Sequence, residues 1–332
     1  MRAIVQNRYG APEEVLQLAE IEKPEAGDGE VLVRVHAAAV AGDDWHLVRG
    51  LPYVARLSTG LSKPKTPATG RELAGVVEKV GGSVAQFKPG DEVFGWCDGA
   101  FAEYAAVSEN ALVLKPANLS FVQAAVVPVS SFTALQALRD EGGIQAGHKV
   151  LILGASGGVG TFAVQIAKSF DAEVTGVCST SNIALVRSLG ADHVVDYTRE
   201  EIAQGYDVIL DLVGNRSLSD LRRALSPKGT LVLVGSSGRA GRDLKGLDRW
   251  FMGVHVWIGA LVTSMFVSQR LRPLVHADRK EDLLTLKDLI EAGKVTPVIS
   301  AQYPLEKVPE AMLHFEAGHA RGKVGITVEG SA

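Results

Sequence analysis

Cysteine is scarce in this sequence, since Cys97 and Cys178 are the only two among 332 residues. Two cysteines can form neither a disulfide framework nor a four-cysteine zinc site, and their scarcity is typical of a reducing compartment. The opening residues, MRAIVQNRYG, lack the apolar core of a signal peptide. We therefore expect a cytoplasmic protein.

A strong charge of one sign is also absent, because the net charge is only −4 and charged residues make up 22% of the chain. This balance argues against nucleic acid or an anionic membrane as the main partner. A hydrophobic content of 46% is ordinary for a soluble globular protein, and the length suits two domains.

Long hydrophobic runs are absent with one exception, residues 250–269 (WFMGVHVWIGALVTSMFVSQ), which contain no Asp, Glu, Lys or Arg. That length could span a bilayer. Two glycines and several polar residues interrupt it, so we expect a buried helix and strand near a pocket or subunit interface, and no membrane partner.

The first third of the chain is rich in short β-prone runs. They read MRAIVQ, EVLVRVHAAAV, ELAGVVEKVG, DEVFGW, FAEYAAV and ALVLKP, and breakers such as FKPGD separate them. Their spacing predicts a small antiparallel barrel or sandwich.

From residue 149 strands alternate with helical patterns, which indicates a parallel, doubly wound sheet. The predicted strands are KVLILG, EVTGVCS, HVVDY, YDVILDLVG and TLVLVGS, and the helices between them include REEIAQ at residues 199–204. Two further helices, KEDLLTLKDLIEAGK and VPEAMLHFEAG, a turn VTPVIS and a closing strand GKVGITVEG follow.

The stretch LILGASGGVG at residues 151–160 runs from an apolar strand into a glycine cluster and then into a helix. It matches the dinucleotide fingerprint G-x-G-x-x-G with alanine in first place, so Gly157 would admit a pyrophosphate and Gly160 would allow close helix packing. The phosphates would lie on the helix N-terminus. The predicted contacts are Ala155, Ser156, Gly157, Gly158, Val159 and Gly160.

The end of the next strand indicates which cofactor is used. A site for NAD carries an acid there for the ribose 2′-hydroxyl. This chain has instead Cys178, Ser179, Thr180, Ser181 and Asn182. Without a carboxylate to repel a 2′-phosphate, NADP(H) is favoured, with Ser179, Thr180 and Asn182 as contacts.

These residues, with KPGDEVFG, AAVVPVSSFTALQAL and LGADHVVDY in this order, resemble the medium-chain dehydrogenase/reductase superfamily. The resemblance implies an α/β protein with an N-terminal chaperonin-10-like β-barrel catalytic domain and a doubly wound Rossmann domain. The tail would return to the first domain, so the expected boundaries are 1–121 with 270–332, and 122–269.

The ligands of the zinc-dependent members are missing. Ala41 and Val129 stand near the two cysteine positions, Arg71 stands at the histidine position, and there is no four-cysteine lobe. Asp43, Asp44 and His46 are too close together, and have no second cluster to complete a zinc site. We therefore expect no metal, and the chain resembles the zinc-independent, zeta-crystallin-like quinone oxidoreductase branch.

Without zinc to stabilise an alkoxide, the favoured acceptors are quinones and α,β-unsaturated carbonyls, which spread the developing charge by conjugation. In the branch that this chain resembles, the segment corresponding to DDWHLVRGLPY lines the substrate cleft. The resemblance therefore implies Asp44, His46 and Tyr53 as the candidate catalytic residues. Tyr53 could donate a proton, or be only a surface or interface aromatic.

The resemblance implies further cofactor contacts, namely Thr133, Tyr197, Val213, Gly235, Ser236 and Arg321. The branch commonly places a lysine on the 2′-phosphate near Asn182, and Arg321 could supply the missing charge. A homodimer is expected, and residues 250–266 would suit its interface. Two alternatives stay open, a dedicated enoyl reductase and a dinucleotide-binding scaffold or sensor with little turnover.

Overall fold

The computed structural model describes residues 1–234, 247–251, 253–318 and 320–328. It divides into two compact units. The first comprises Met1–Val129, Asp278–Glu291 and Pro297–Ala332, and the second comprises Ser130–Ala277 and Ala292–Thr296.

The strands are, in chain order, β1 (Arg2–Gln6), β2 (Leu16–Glu20), β3 (Glu30–Val40), β4 (Glu72–Val80), β5 (Glu92–Trp96), β6 (Tyr104–Ser108), β7 (Leu112–Leu114), β8 (Lys149–Leu153), β9 (Glu173–Cys178), β10 (His193–Asp196), β11 (Tyr206–Asp211), β12 (Leu225–Leu233), β13 (Arg270–Pro273), β14 (Ile299–Pro304) and β15 (Lys323–Thr327). The α-helices are α1 (Pro12–Val15), α2 (Gly42–Arg49), α3 (Arg56–Thr59), α4 (Phe121–Ala125), α5 (Pro128–Gln136), α6 (Gly158–Ser169), α7 (Ile183–Ser188), α8 (Leu218–Ala224), α9 (Leu247–Phe251), α10 (Val254–Ser264), α11 (Lys280–Glu291) and α12 (Val308–Glu316).

The first unit is built on a sheet in the order β14-β15-β3-β4-β5-β7, with β6 also paired to β3, and β1 and β2 form a separate hairpin. The long strand β3 is buried along most of its length, because its Val and Ala side chains pack on both faces. Helix α2 follows directly, and Gly50 ends it in the left-handed region with φ 61°.

The second unit contains a six-stranded sheet in the order β10-β9-β8-β11-β12-β13, and all of its pairs are parallel. The strand order reverses between β8 and β11, which is where an open sheet of this kind binds its ligand, beyond the carboxyl ends of the strands. The predicted doubly wound domain is confirmed.

The division after Val129 and after Ala277 falls later in the chain than the sequence-based divisions at 121 and 269. At the first, α4 packs on β3 and β4 and so lies with the first unit. At the second, residues 270–273 form β13 and extend the parallel sheet by pairing with β12.

The structure differs from the sequence-based predictions at three local points. No helix forms at residues 199–204, because the amides of Arg199 and Glu200 donate to the Asp196 carbonyl in a turn. Strand β14 begins at Ile299 and includes the last two residues of the expected turn VTPVIS. Strand β13 was not predicted, since four residues reading RLRP carry little β signal and depend on β12 for their pairing.

Residues 250–269 do not form the expected buried helix. The inward side of α10 packs on the second unit's core through Ala260, Val256 and Trp257, whereas its outward side is exposed and apolar. Within the described ranges, no helix has the length and apolar character needed to cross a membrane.

Candidate active site

The glycine loop lies between β8 and α6, at the carboxyl edge of the parallel sheet. Gly154 has a φ of 82°, and Gly157 precedes the first turn of α6 in extended conformation. No side chain caps this helix, and the described residues provide no acceptor for the amides of Gly158, Val159 and Gly160. Unpaired amides at the positive end of a helix bind phosphate groups.

The two fingerprint glycines are required for different reasons. A Cβ on Gly160 would lie 2.1 Å from the Gly154 carbonyl oxygen, so only glycine lets the helix approach the strand this closely. A Cβ on Gly157 would meet only that same oxygen, at 3.4 Å, so its surroundings in the protein leave room for a side chain. The absence of a side chain at Gly157 is therefore best explained by a ligand that occupies this space.

Asn182 links the loop to the end of β9. Its Nδ2 donates to Ser156 Oγ at 3.0 Å and to Ser179 Oγ at 3.2 Å, so three of the predicted contacts lie together. Its Oδ1 is buried and has no partner among the described residues. An unsatisfied buried polar atom beside free helix amides fits a bound dinucleotide.

Sequence reasoning overlooked Asp196 at the end of β10. Asp196 pairs in register with Cys178 on β9, and its carboxylate accepts hydrogen bonds from the hydroxyls of Thr180 and Thr198. These bonds hold the pKa of Asp196 below its usual value. Since Thr180 donates its hydroxyl proton to Asp196, it offers an acceptor rather than a donor to the ribose. The available signal was an acid at the end of the β-prone run HVVDY.

The other predicted cofactor contacts are placed as follows. The Val213 side chain lies over Gly154, and the Val213 amide donates to Asp211 Oδ1 at 3.0 Å. The Tyr197 amide donates to the Cys178 carbonyl, and its side chain is exposed. Thr133 is buried in the second unit, whereas Arg321 is exposed in the first. Gly235 and Ser236 lie outside the described residues.

A buried ion pair lies at the centre of the first unit. Lys323 Nζ is 2.6 Å from Glu72 Oε2, and the side chains are only 3% and 0% exposed. The other oxygen, Oε1, accepts from the Val129 amide at 2.8 Å. Glu72 pairs in register with Ala39 and follows Arg71 in the chain. Of the three expected zinc-ligand positions, Val129 contacts this carboxylate through its amide and Arg71 precedes Glu72 in the chain.

Asp44 is buried close to this pair. Its Oδ2 accepts from the Ala41 amide at 2.8 Å, while Oδ1 is buried and has no partner among the described residues. Burial, with a smaller contribution from the charge of Glu72, raises the pKa of Asp44 to about 8. A pKa of about 8 leaves the Asp44 carboxyl mostly protonated at pH 7.

The two other candidate catalytic side chains are held by local contacts. His46 Nδ1 lies 2.8 Å from the Leu51 carbonyl oxygen. The Tyr53 ring faces the Arg56 guanidinium at 4.5 Å, and the same guanidinium also faces Tyr9. Burial raises the pKa of the Cys97 thiol to about 12 and of the Cys178 thiol to about 11, so neither is a thiolate nucleophile.

Two regions of this chain match known protein families. Residues 27–117 match the family described as an alcohol dehydrogenase GroES-like domain, and residues 189–324 match the family described as a zinc-binding dehydrogenase. The chain is 36% identical to "NAD(P)H oxidoreductase RTN4IP1, mitochondrial" of Bos taurus, over 99% of this chain and 89% of the relative. The chain belongs to the medium-chain dehydrogenase/reductase superfamily.

Within this superfamily its relatives include quinone oxidoreductases. The "Chloroplast envelope quinone oxidoreductase homolog" of Arabidopsis thaliana is 32% identical over 98% of this chain and 97% of the relative. The solved structure of the quinone oxidoreductase from Coxiella burnetii has a TM-score of 0.83 at 29% identity, with 99% of each chain covered. The resemblance, the fold class and the enzyme class read from the sequence are confirmed.

This medium-chain dehydrogenase/reductase is therefore an oxidoreductase with a nicotinamide cofactor and a small-molecule substrate. The cytoplasmic location expected from the sequence is wrong by the same comparison, because these relatives are named mitochondrial and chloroplast envelope proteins. Two free cysteines indicate a reducing environment and do not identify the compartment. The part of the chain that the structure describes contains no group of three His, Cys, Asp or Glu that could hold a metal ion.

Proposed function

We propose that this enzyme is a zinc-independent, NADPH-dependent reductase of quinones or conjugated enones. The observation that carries the proposal is the set of residues at the three zinc-ligand positions. Ala41, Arg71 and Val129 offer no thiolate or imidazole, and the Val129 amide instead donates to Glu72 of the buried Glu72–Lys323 pair. Acceptors that delocalise charge need no Lewis acid.

NADPH is the proposed cofactor because no acid ends β9 and Ser179 offers a hydroxyl there. The negative charge of Asp196 disfavours a 2′-phosphate nearby, and the bond to Asp196 uses the Thr180 hydroxyl proton. A cation therefore has to offset both effects. Arg321 is exposed and forms no ion pair with any described residue, which leaves its charge available for a 2′-phosphate. The substitution Arg321→Gln should weaken NADPH binding about tenfold and leave NADH binding unchanged.

The glycine-loop residues 155–160, with Ser179, Thr180, Asn182, Tyr197, Val213, Thr133, Gly235, Ser236 and Arg321, are the proposed cofactor contacts. Bound NADPH supplies a hydride, and the chain must bind the acceptor, exclude water and allow a proton to reach the reduced oxygen. The overall change is NADPH, a proton and a quinone giving NADP⁺ and a hydroquinone.

Asp44, His46 and Tyr53 are the proposed catalytic residues. Asp44 can hold a proton at neutral pH, since its pKa is raised to about 8. The Tyr53 hydroxyl could donate to the acceptor oxygen. His46 donates from Nδ1 to the Leu51 carbonyl, so its neutral ring offers Nε2 as a proton acceptor.

We also propose a homodimer. Strand β13 ends the parallel sheet, and its outer edge has no partner among the described residues. An edge strand of this kind can pair with the same strand of a second copy. Sedimentation velocity measures the state directly, and a monomer across the working concentration range would refute it.

The decisive test of function is a steady-state assay of chelator-treated enzyme. NADPH and NADH would each be paired with a benzoquinone, an enone and a simple ketone. We expect quinone or enone reduction that survives chelation and is faster with NADPH. Activity with simple ketones alone, abolished by chelation, would refute the proposal, as would binding of NADPH without turnover of any acceptor.

A further inference from the structure

Two threonine hydroxyls donate to one carboxylate where β9 and β10 end. Thr180 Oγ1 donates to Asp196 Oδ2, and Thr198 donates to Asp196 Oδ1 through its hydroxyl at 2.7 Å and its amide at 3.0 Å. The hydroxyl oxygens of Thr180 and Thr198 lie 3.4 Å apart, but the shorter bonds to the carboxylate use both protons. A hydroxyl has one proton and two lone pairs. Thr180, which is exposed, therefore offers only lone pairs to an incoming group.

The neighbouring hydroxyl, on Ser179, has the opposite character. Its Oγ accepts from Asn182 Nδ2 at 3.2 Å and lies 3.4 Å from Ser181 Oγ. In the part of the chain that the structure describes, no carboxylate accepts from Ser179, so its proton can be donated to a ligand. The end of β9 thus places one hydroxyl donor directly beside one hydroxyl acceptor.

This donor and acceptor lie where a doubly wound domain binds the adenosine ribose, after the second strand of the series. Asn182 also ties Ser179 to Ser156 of the glycine loop. A ribose 2′-hydroxyl both donates and accepts, so it can satisfy Ser179 and Thr180 together. An ionised 2′-phosphate only accepts, so it can bond to Ser179 but meets the lone pairs of Thr180.

The charge beside Thr180 adds to this difference. The Asp196 side chain is only 2% exposed, and its hydrogen bonds, first that of Thr180 and then that of Thr198, lower its pKa, so it is ionised at neutral pH. Arg199 Nε lies 3.9 Å from Asp196 Oδ2, but that side chain is 73% exposed and its contribution is small. Residues 196–201 read DYTREE, with three acids and one arginine, so this segment repels a phosphate.

We propose that Asp196 sets the preference between NADH and NADPH by holding the Thr180 proton away from the ribose. This arrangement favours the 2′-hydroxyl of NADH and opposes the 2′-phosphate of NADPH. The enzyme therefore binds both dinucleotides, and its preference for NADPH is smaller than the lack of an acid at the end of β9 alone would give. The inference rests on the proposed cofactor site and names the residue that limits its selectivity.

The experiment is fluorescence titration of the full chain with NADPH and with NADH, which measures both Kd values without an acceptor. The informative variant is Asp196→Asn. An asparagine oxygen can keep both Thr198 bonds while its amide nitrogen donates to Thr180, whereas the opposite orientation would lose the two Thr198 bonds. The Thr180 proton is then free for a phosphate. We expect the Kd for NADPH to fall about tenfold and that for NADH to rise about threefold.

Two further variants separate the hydroxyl from the charge. Thr180→Val removes the acceptor from an exposed position and leaves Asp196 in place, so the Kd for NADH should rise about fivefold and that for NADPH should change less than about twofold. Glu200→Gln is the matched control, because it makes the same change of charge on an exposed side chain of the same segment. It should change the ratio of the two Kd values by less than about twofold.

The proposal is overturned if Asp196→Asn leaves the ratio of the two Kd values unchanged, or if Glu200→Gln shifts it as much. It is also overturned if the parent binds NADPH but not NADH, or if Thr180→Val binds NADH as tightly as the parent. Thermal unfolding shows whether Asp196→Asn folds, and if it does not, Thr180→Val decides the question.

The same titrations distinguish this inference from the proposed function. A parent that binds NADH more tightly than NADPH would refute the proposed cofactor, while a shift towards NADPH in Asp196→Asn would still support the role of Asp196. A parent that prefers NADPH, with a ratio that does not respond to Asp196→Asn, would refute the role of Asp196 and leave the proposed function standing.

Discussion

Substituting each fingerprint glycine by alanine separates a ligand requirement from a packing requirement. Gly157 and Gly160 lie three residues apart, and the same Cβ is added in both variants. At Gly160 this Cβ would lie 2.1 Å from the Gly154 oxygen and 2.8 Å from two backbone atoms of Ala155. Backbone cannot yield as a flexible side chain can, so the loop itself has to move.

The expected cost of Gly160→Ala is about 2–3 kcal/mol of unfolding free energy, the usual penalty for overpacking. For a chain of 332 residues, whose unfolding entropy is about 0.7 kcal/mol/K, that corresponds to a fall in Tm of roughly 3–4 °C. Gly157 has ordinary extended angles, φ −82° and ψ 179°, and its Cβ would meet only one oxygen at 3.4 Å. We expect Gly157→Ala to change stability by less than about 1 kcal/mol, since a poorer helix cap is offset by lower chain entropy when unfolded.

For NADPH binding we expect the opposite order, with Gly157→Ala affected more than Gly160→Ala. The added methyl group of Gly157→Ala would occupy the space through which a pyrophosphate approaches the α6 amides. We expect the Kd for NADPH to rise about tenfold or more, the effect of weakening one charge-assisted hydrogen bond. Calorimetry of unfolding and fluorescence titration with NADPH measure the two quantities. If Gly157→Ala binds NADPH as tightly as the parent, no phosphate approaches this loop and the reasoning is refuted.

Three further predictions concern the first unit and the thiols. Asp44 has a pKa of about 8 in the folded chain and near 3.8 in the unfolded chain. Between these two pH values the folded state binds one more proton than the unfolded state. The free energy of unfolding therefore falls as pH rises from about 4 to about 8. Asp44→Asn should flatten this dependence of the free energy of unfolding on pH, which amounts to at most about 6 kcal/mol across the range. An unchanged pH profile of urea denaturation would contradict the prediction. Lys323→Met should cost about 3–5 kcal/mol by leaving Glu72 buried and unpaired, whereas Glu72→Met/Lys323→Met should recover most of that loss in the same denaturation assay. Cys97 and Cys178 should resist iodoacetamide at neutral pH in the folded protein and react fully in denaturant, and rapid native labelling of either would show that its thiol is not buried as described.

Much of the local structure around the glycine loop could be predicted from the sequence, because the loop and the strand–helix alternation are local patterns. Ser156 was chosen as part of the glycine loop, and Ser179 and Asn182 from the end of the next strand. The hydrogen bonds of Asn182 bring the three together. The role of Asp196 was not foreseen, since it depends on the register of β10 against β9, which places the acid opposite Cys178.

The first unit was harder to predict than the second. Lys323 and Glu72 are far apart in the chain, and they meet because β15 and β4 both pair with β3. Hydrophobic periodicity identifies strands but carries no information about which distant strands pair. For the same reason the nearly fully buried position of Asp44, and with it the raised pKa, could not be derived from the run of residues around it.

The sequence by itself determined the doubly wound sheet, the dinucleotide loop and the lack of the expected zinc ligands, because each depends on residue types at short spacing. Tertiary structure alone decided which carboxyl groups are buried, which of them are paired, and that α10 leaves an apolar face uncovered. These properties arise from contacts between segments that are distant in the chain, and such contacts set the local dielectric and the exposed surface.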